Sequence, residues 1–483
     1  MTPVAFLGRL FAPVDIASLV FFRIAFGAIM VWEVAKYFVH GWIRTYYIDP
    51  GFHFTYYGFG WVQPWPGYGM YLHFLVLGVL AACVTLGLWY RVSIVLFFVA
   101  FTYVYLLEQA LYLNHFYLAA LVSFLMIFVP AHRSFSIDAL RKPEIRSETA
   151  PAWTVWVLAA QMAIVYLYGG LAKLNGDWLR GEPMRGWLAA ETDLPIIGPL
   201  FDDEWLVYFF SYGGLLFDLL IVPLLLWRRT RYAAIVLALV FHLTNSMLFR
   251  IGMFPWFAIA ASTLLLPPSW PRQFFGFLRD LWQSPRHSST SEHVQEEEQE
   301  TQAEDVSTAP NGLTVRQWIV VSMLGVFFTV QLLVPLRYFL YPGNANWTQE
   351  GSRFAWQMML RHKQGGAVFY ATDPVSGRTL EINPKDSLTP FQVRQLTSYP
   401  DMVLQFGHHI AETFRAKGYE QIEVRALVVT SLNGREPQQL IDPTVDLAKQ
   451  QRTLAPSPWI MPLEEPLPQP SKSPEGDEDI VMD

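Results

Sequence analysis

The chain has 483 residues, of which 53% are hydrophobic and only 16% are charged, whereas a soluble protein carries about 25% charged residues. Long apolar runs recur along it, so the composition excludes an ordinary soluble protein and predicts an integral membrane protein. Much of the acid behind the net charge of -7 lies in two short segments, 296–305 and 474–483, and no surface for nucleic acid is indicated.

The apolar runs predict eight or nine membrane spans. Helices are expected in all of them, because backbone groups in lipid must be satisfied within each segment. The first run is long enough to span, so we expect no removable signal peptide. The predicted spans are 14–38, 70–90, 92–108, 114–131, 153–172, 205–227, 231–249, 251–267 and 316–338.

Lysine and arginine are distributed unequally over the predicted loops. The side that includes the N-terminus holds about twice as many of them as the other side before the last span, which the positive-inside rule assigns to the cytoplasm. With nine spans, the C-terminal region is then extracytoplasmic. A chain with one span more or fewer would invert that assignment.

The region after the eighth span changes in character. A polar linker predicted to be disordered covers 283–312, and a last span follows at 313–340. Residues 341–465 predict a small α+β, β-rich module outside the membrane, with hairpins turning at Ser376-Gly377 and Asn433-Gly434. A disordered acidic tail is predicted at 466–483. The predicted fold is an all-α membrane bundle, residues 1–282 and the last helix, carrying this module.

Ionisable residues inside membrane segments usually face the protein interior and often mark function. Arg23 and Asp218 could form a buried structural ion pair. Glu33 lies near the end of its span and is expected to reach the interface, where Asp177 and Trp178 are expected to act as anchors. His242 could be a hydrogen-bonded packing residue or part of a site.

Lys173 lies where the run 153–172 leaves the membrane core, a costly place for an ammonium. Its long stem could let the amine snorkel to the headgroups. A desolvated lysine could instead be neutral and act as a general base. These two interpretations stay open on composition alone. Cys83 is the only cysteine, which excludes an intrachain disulfide and a cysteine-rich metal site.

Several stretches, in order along nearly the whole chain, resemble the vitamin K-dependent gamma-glutamyl carboxylase family, whose membrane part is called the HTTM domain. Any one of the stretches is a weak signal, but their shared order is specific. They are "SLVFFRIAFGAIMVWE" (18–33), "LNHFYLAAL" (113–121), "HRSFSIDAL" (132–140), "VYLYGGLAKLNGDWLRGEPM" (165–184), "FHLTNSMLFRIGMFPW" (241–256), "PSWPR" (268–272), "NANWTQEGSRFAWQMML" (344–360) and "LIDPTVDL" (440–447).

The resemblance implies a defined chemistry that needs no metal. A reduced quinone, vitamin K hydroquinone or menaquinol, reacts with O2 to give a strong base, which removes a γ-proton from a peptidyl glutamate that then captures CO2. The resemblance assigns the initiating base to Lys173 and the hydrogen bonding of the reacting groups to Asn114 and His115. It implies quinone-binding roles for Asn114, His242, Asn245, Trp347, Trp356 and Met358.

Departures from the family pattern keep alternatives open. The outer module is much shorter than in the animal enzymes, and the single Cys83 cannot form their disulfide. A short member of this kind suggests a bacterial inner-membrane protein. The leading hypothesis is a carboxylase whose partners are lipid and a glutamate-containing peptide; the oligomeric state is open. The alternatives are a quinone epoxidase without carboxylation and a non-catalytic transporter or scaffold.

Overall fold

The computed structural model describes residues 7–195, 198–249, 251–282 and 312–468. The predicted disordered linker and acidic tail lie outside these ranges, apart from residue 312 and residues 466–468. The described chain forms a helical bundle with a smaller, sheet-containing module packed against one end of it, as the sequence predicted.

The bundle consists of thirteen helices and one short two-stranded ribbon among the described residues. The strands β1 and β2 of this ribbon are antiparallel and join the start of the chain to the start of α6. The elements are β1 (Pro13–Asp15), α1 (Ala17–Val39), α2 (Gly69–Leu86), α3 (Tyr90–Leu107), α4 (Asn114–Met126), α5 (Ile137–Arg141), β2 (Thr149–Pro151), α6 (Ala152–Ala172), α7 (Gly176–Leu179), α8 (Met184–Ala189), α9 (Glu204–Leu226), α10 (Arg231–Leu248), α11 (Phe254–Ser262), α12 (Trp270–Trp282) and α13 (Val315–Leu333).

Seven helices in the described part of the chain are long and apolar enough to cross a membrane, rather than the eight or nine predicted. They are α1, α2, α3, α6, α9, α10 and α13, the last with its continuation to Leu340. The runs predicted as the fourth and eighth spans form shorter apolar helices, Asn114–Met126 and Phe254–Leu265. An apolar run sets an upper limit on helix length, and both helices fall short of the roughly 20 residues that a bilayer core requires.

Glycines let the long helices approach each other closely, as is common where lipid provides little drive for helix association. Helix α1 packs along α2, and a Cβ at Gly27 would lie only 2.7 Å from the backbone nitrogen of Thr85. Helix α6 packs along α9, where a Cβ at Gly170 would lie 2.6 Å from Leu219 Cδ2. The second contact determines how the helix before Lys173 meets the helix that carries Asp218.

The module has a four-stranded antiparallel sheet of order β4-β3-β5-β6, and helix α16 packs on β5. The first predicted hairpin is confirmed, with Asp373 paired to Arg378 across its turn. The second is also confirmed, and its turn residues Asn433 and Gly434 have positive φ angles of 54° and 79°. The module's elements are α14 (Ala345–Thr348), β3 (Lys363–Asp373), β4 (Arg378–Ile382), α15 (Pro390–Leu396), α16 (Pro400–Arg415), β5 (Glu423–Leu432) and β6 (Gln438–Gln439).

Both apolar contacts and hydrogen bonds join the module to the bundle. Phe54, in the loop after α1, is buried within the module's own hydrophobic core. Gln405 of α16 donates to the side chain of Gln109 (2.8 Å), and Arg452 donates to the carbonyl of Thr55 (2.7 Å). Loops after α1 and α3 therefore support the module at the end of the bundle where α6 also ends.

Candidate active site

A cavity of about 560 Å³ lies between this end of the bundle and the module. Its volume is within the ~300–1,000 Å³ typical of small-molecule sites. Helices α1, α4, α6, α9, α10 and α11 and the module loop 357–361 contribute to its walls. Six of the eight predicted site residues line it: Asn114, His115, Lys173, His242, Asn245 and Met358.

Lys173 directly follows the last residue of α6 and turns into the protein. Its Nζ donates to the carbonyl of Gly169 (3.2 Å) and to Oδ2 of Asp218 (2.5 Å), and it lies 5.2 Å from the ring centre of Trp178. Lys173 is only 7% exposed, and it lines the cavity. Its amine therefore does not snorkel to the headgroups.

Asp218 and Lys173 are brought together by the close packing of α6 on α9. A Cβ at Gly169 would lie 3.2 Å from Asp218 Oδ2, and the carboxylate therefore occupies space that a larger residue would fill. At Gly214, one turn before Asp218 on α9, a Cβ would lie 4.0 Å from Lys173 Cε. The glycines of both helices leave room for the pair.

The prediction of an Arg23–Asp218 ion pair is wrong. Arg23 is fully buried, and its guanidinium donates to the carbonyls of Ala131 (2.9 Å) and Phe135 (2.7 Å), in the loop that follows α4. That loop lies at the end of the bundle opposite the module. Hydropathy places both residues in membrane segments but does not report how deep each one lies in the membrane. Arg23 is bound near the end of the bundle opposite the module, whereas Asp218 lines the cavity next to the module.

Asn114 and His115 begin α4 at the cavity. Asn114 Oδ1 accepts from the hydroxyl of Tyr112 (2.9 Å), and its Nδ2 donates to the carbonyl of Gln357 (3.4 Å) in the module loop. The ring of His115 packs 6.2 Å from that of Phe254 and has no hydrogen bond to any described residue. Gly252 lies beside the ring, and a Cβ there would be in ordinary contact with His115 Nε2, at 3.8 Å.

His242 lies on the opposite side of Phe254, with ring centres 6.0 Å apart. Its Nε2 is 2.8 Å from the hydroxyl of Tyr166, which is in turn 2.8 Å from Oγ of Ser262. His242 is 1% exposed, and its Nδ1 has no partner among the described residues. Asn245 follows three residues later on α10 and also lines the cavity, so the site has a second polar wall.

Trp347 and Trp356, predicted as pocket walls, are not among the cavity-lining residues. Trp347 is in the module core, where its indole donates to the carbonyl of Met461 (2.7 Å). Trp356 stacks on Tyr117 in the bundle core, with ring centres 4.9 Å apart. Positive φ angles at Trp356 (56°) and Met359 (56°) turn this loop irregularly, so Met358 faces the cavity and Trp356 does not.

Three charged groups of the cavity were not predicted there: Glu33 was expected at the interface, and Lys36 and Arg361 were not predicted as site residues. Glu33 is 6% exposed and bonded to Lys36 (2.6 Å), and both line the cavity. Arg361 reaches the cavity from the module, held by the side chain (3.1 Å) and carbonyl (3.3 Å) of Gln357. Burial lowers the pKa of Arg361, and no carboxylate among the described residues pairs with it. Lys36 lies one helical turn after Glu33, and this spacing was the sequence signal that could have predicted their ion pair.

Asp177 and Trp178 are not interface anchors. Asp177 accepts two bonds from the guanidinium of Arg435 (both 2.7 Å) and one from Asn433 (2.9 Å), at the turn of the second hairpin. The indole of Trp178 is 2% exposed and donates to the carbonyl of Ser211 (2.8 Å). The segment after Lys173 is thus fastened to the module on one side and to α9 on the other.

The fold and this cavity define a polytopic membrane protein with a largely apolar site, carrying several polar groups, where the bundle meets the sheet-containing module. In the described ranges, no group of three or more His, Cys, Asp or Glu side chains is arranged to hold a metal ion. Residues 11–270 match the HTTM domain model, and residues 316–466 match that of the vitamin K-dependent gamma-carboxylase lumenal domain. The chain therefore belongs to the vitamin K-dependent gamma-carboxylase family of HTTM proteins, as its motifs predicted. No solved structure matches it significantly.

Proposed function

We propose that the protein is a quinone-dependent gamma-glutamyl carboxylase whose active site is the cavity at the bundle–module junction. The observation that carries the proposal is the convergence of Lys173, Asn114, His115 and His242 on one cavity of about 560 Å³. Asn114 and His115 begin α4, Lys173 directly follows α6 and His242 lies on α10, so residues from three separate segments of the chain meet here. A scaffold would have no use for this convergence.

The cavity residues suit a flat ring that carries polar substituents. Phe241, Phe254 and Trp178 contribute apolar walls, and the polar groups of Lys173 and His242 also line the cavity. The unpartnered Nδ1 of His242 is a buried polar atom that a ligand oxygen could satisfy. A reduced quinone bound here would react with O2 and supply the strong base that removes the γ-proton of glutamate.

Lys173 is proposed to accept the first proton. Its surroundings exclude bulk water, which strengthens each electrostatic contact. Asn114 is fixed between Tyr112 and the module loop, so its amide is oriented before a substrate arrives. His115 carries no hydrogen bond to a described residue and lines the cavity, so its imidazole can donate to or accept from the reacting groups.

The glutamate carboxylate is proposed to bind near Arg361 and Lys36. Arg361 is a cation without a carboxylate partner in the described part of the chain, and it lines the cavity from the module side. Guanidinium groups bind carboxylates through two parallel hydrogen bonds. This feature favours carboxylation over epoxidation alone. The proposal includes an extracytoplasmic module, as the distribution of lysine and arginine predicts.

The test supplies purified protein with reduced vitamin K or menaquinol, O2, labelled bicarbonate and a glutamate peptide. Quinone epoxide and fixed label are measured for the parent, Lys173→Ala and Arg361→Gln. We expect epoxide and label from the parent and neither from Lys173→Ala. Arg361→Gln is expected to raise the KM for the peptide at least tenfold while quinone epoxidation continues.

The outcomes separate the alternatives. Epoxide without fixed label, over a range of glutamate peptides, would leave a quinone epoxidase. No epoxide with either quinone, from folded protein, would contradict quinone chemistry and leave the transporter or scaffold. Epoxide formation by Lys173→Ala at the parental rate would remove that lysine from the mechanism.

A further inference from the structure

We propose that Asp218 is the positioning residue for Lys173 and that the two act as a charge-coupled pair, the carboxylate stabilising the ammonium that forms when the amine accepts a proton. The inference rests on the proposed function, because it concerns the same first proton transfer. The sequence suggested Arg23 as the partner of Asp218, and the family motifs assign Asp218 no role. Its contact with Lys173 (2.5 Å) indicates one, because both side chains are buried.

The hydrogen bonds of Lys173 orient its amine. A neutral amine has two N–H bonds and one lone pair, and Nζ has two acceptors, the carbonyl of Gly169 and Oδ2 of Asp218. With both N–H bonds directed to these acceptors, the remaining tetrahedral position is left to the lone pair. Lys173 lines the cavity, so that position is available to a substrate hydroxyl. Without the carboxylate, the amine could rotate its lone pair away.

The charges of the pair balance through the step. The proposed step begins from a neutral amine and a negative carboxylate. The O–H bond of the substrate hydroxyl breaks, a new N–H bond forms at Nζ, and the electron pair of the broken bond stays on the substrate oxygen. No oxidation occurs in this step. The pair changes from net negative to net neutral, so the ammonium forms beside its counter-ion rather than alone in a site of low dielectric.

The position of Asp218 suits this role. Lys173 is its one hydrogen-bond donor among the described residues, and the carboxylate itself lines the cavity. Asp177 differs in both respects, because it accepts from Arg435 and Asn433 and does not line the cavity. The other titratable or charged side chains that line the cavity are Glu33, Lys36, Tyr37, Tyr46, Tyr112, His115, Tyr166, His242, Arg361 and Tyr399.

The first test needs no quinone. Competitive labelling with isotopic acetic anhydride, read by mass spectrometry, measures the reactive fraction of the Lys173 amine as a function of pH. We expect the midpoint of Lys173 labelling to fall by at least one pH unit in Asp218→Asn, because the carboxylate no longer favours the ammonium. The asparagine can still accept the hydrogen bond. A midpoint within 0.3 pH units of the parent would overturn the proposal.

The second test uses quinone epoxidation, with Glu182→Gln as the matched control. Glu182 is a buried carboxylate bonded to Arg185 (2.8 Å), and it does not line the cavity. Asp218→Asn is expected to lower kcat about thirtyfold and to move the acid limb of the pH–rate profile to lower pH, with the KM for the quinone within threefold. Glu182→Gln is expected to move neither. An unshifted profile in Asp218→Asn, or an equal shift in both variants, would contradict the pairing.

The inference remains testable if Asp218→Asn does not fold. Infrared difference spectra of parent and Lys173→Met, with isotope-labelled aspartate, report the protonation of the carboxyl that contacts Lys173. We expect an ionised carboxylate at the pH where Lys173 labels as a free amine, and a protonated carboxyl there would overturn the proposal. If the parent protein is inactive but Asp218→Asn shows the expected labelling shift, the proposed function is contradicted and the pairing is not. An active parent without the shift would defeat only the pairing.

Discussion

Two buried basic side chains lie at opposite ends of the same bundle and have opposite surroundings. Arg23 is completely enclosed, donates to the carbonyls of Ala131 and Phe135, and does not line the cavity. Lys173 is almost as buried but has one carboxylate, one carbonyl and an open side towards the cavity. An ionisable residue in a membrane segment is therefore not by itself a sign of chemistry.

The distinction lies in what remains for a ligand. The guanidinium of Arg23 closes a loop onto the bundle, so its hydrogen bonds serve the fold. The amine of Lys173 leaves one position for a substrate. We expect substitutions at the first site to change stability and substitutions at the second to change rate, and the following predictions test this division.

The largest effect is expected for Lys173→Met, which keeps the aliphatic stem and removes the amine. General-base catalysis typically contributes about 10²- to 10⁴-fold, and we expect roughly a thousandfold loss of quinone epoxidation. The measurement is epoxide formed per folded molecule. Arg23→Met serves as the control and is expected to stay within threefold of the parent. Equal losses of epoxidation in Lys173→Met and Arg23→Met would contradict the assignment of catalysis to Lys173 and of stability to Arg23.

The next effect is on stability. Arg23→Met removes the donor from the buried carbonyl of Ala131 and from the partly buried carbonyl of Phe135, and an unsatisfied buried carbonyl costs about 1–3 kcal/mol. We expect a clearly lower midpoint of thermal unfolding in detergent or nanodiscs. A thermal midpoint equal to that of the parent would show that the carbonyls find other donors.

A smaller effect on kcat is expected at the contact between the module and the segment after Lys173. Arg435→Lys replaces a two-pronged contact with Asp177 by a single one. We expect kcat to fall about fivefold and hydrogen exchange in 174–182 to accelerate, because Lys173 belongs to the same segment. The matched control is Arg425→Lys, whose partner Glu423 lies on the module surface. Loss of rate without faster exchange would contradict the coupling.

The interface should also respond to acid. Burial opposes the charge of Asp401, but hydrogen bonds and charge from Arg452 outweigh it and hold the pKa of Asp401 below its usual value. A lowered pKa in the folded state contributes stability above the unfolded value of about 3.9, and this contribution is lost as the pH falls through the folded value. The thermal midpoint should therefore decline below about pH 4, and less steeply in Asp401→Asn. Parallel curves would count against the assignment.

The smallest effect is expected for Trp356, which was predicted as a pocket wall but does not line the cavity. Trp356→Phe keeps an aromatic ring against Tyr117 in the bundle core. We expect the KM for the quinone to change less than twofold, whereas Phe254→Leu, in the cavity wall, should raise it at least threefold. Steady-state kinetics with varied quinone would decide, and a larger effect of Trp356→Phe would return that residue to the pocket.

The sequence predicted the membrane bundle, the two hairpins of the module and the positions of Lys173, Asn114 and His115 at one end. Apolar run length and turn residues carry that information locally. The partner of Asp218 could not be predicted in this way. The pair forms because α6 and α9 pack closely at Gly169 and Gly170. Hydropathy does not report how deep a residue lies in the membrane or which helix lies beside it.

The loop after α14 illustrates a second limit. Positive φ angles at Phe354 (60°), Trp356 and Met359 change the direction of successive residues. Such angles are uncommon outside glycine and cannot be read from composition. For this reason Met358 lines the cavity, whereas Trp356 packs into the bundle.

The most direct test of the central claim is chemical rescue of Lys173→Ala by methylamine. Epoxide formation from reduced quinone and O2 would be measured in the variant with and without the amine, against folded parent protein. The account predicts negligible epoxide without methylamine and a saturable, pH-dependent recovery with it, because the small amine can occupy the vacated space beside Asp218. Parental epoxide formation without any added amine would contradict the claim that Lys173 is the base of this site.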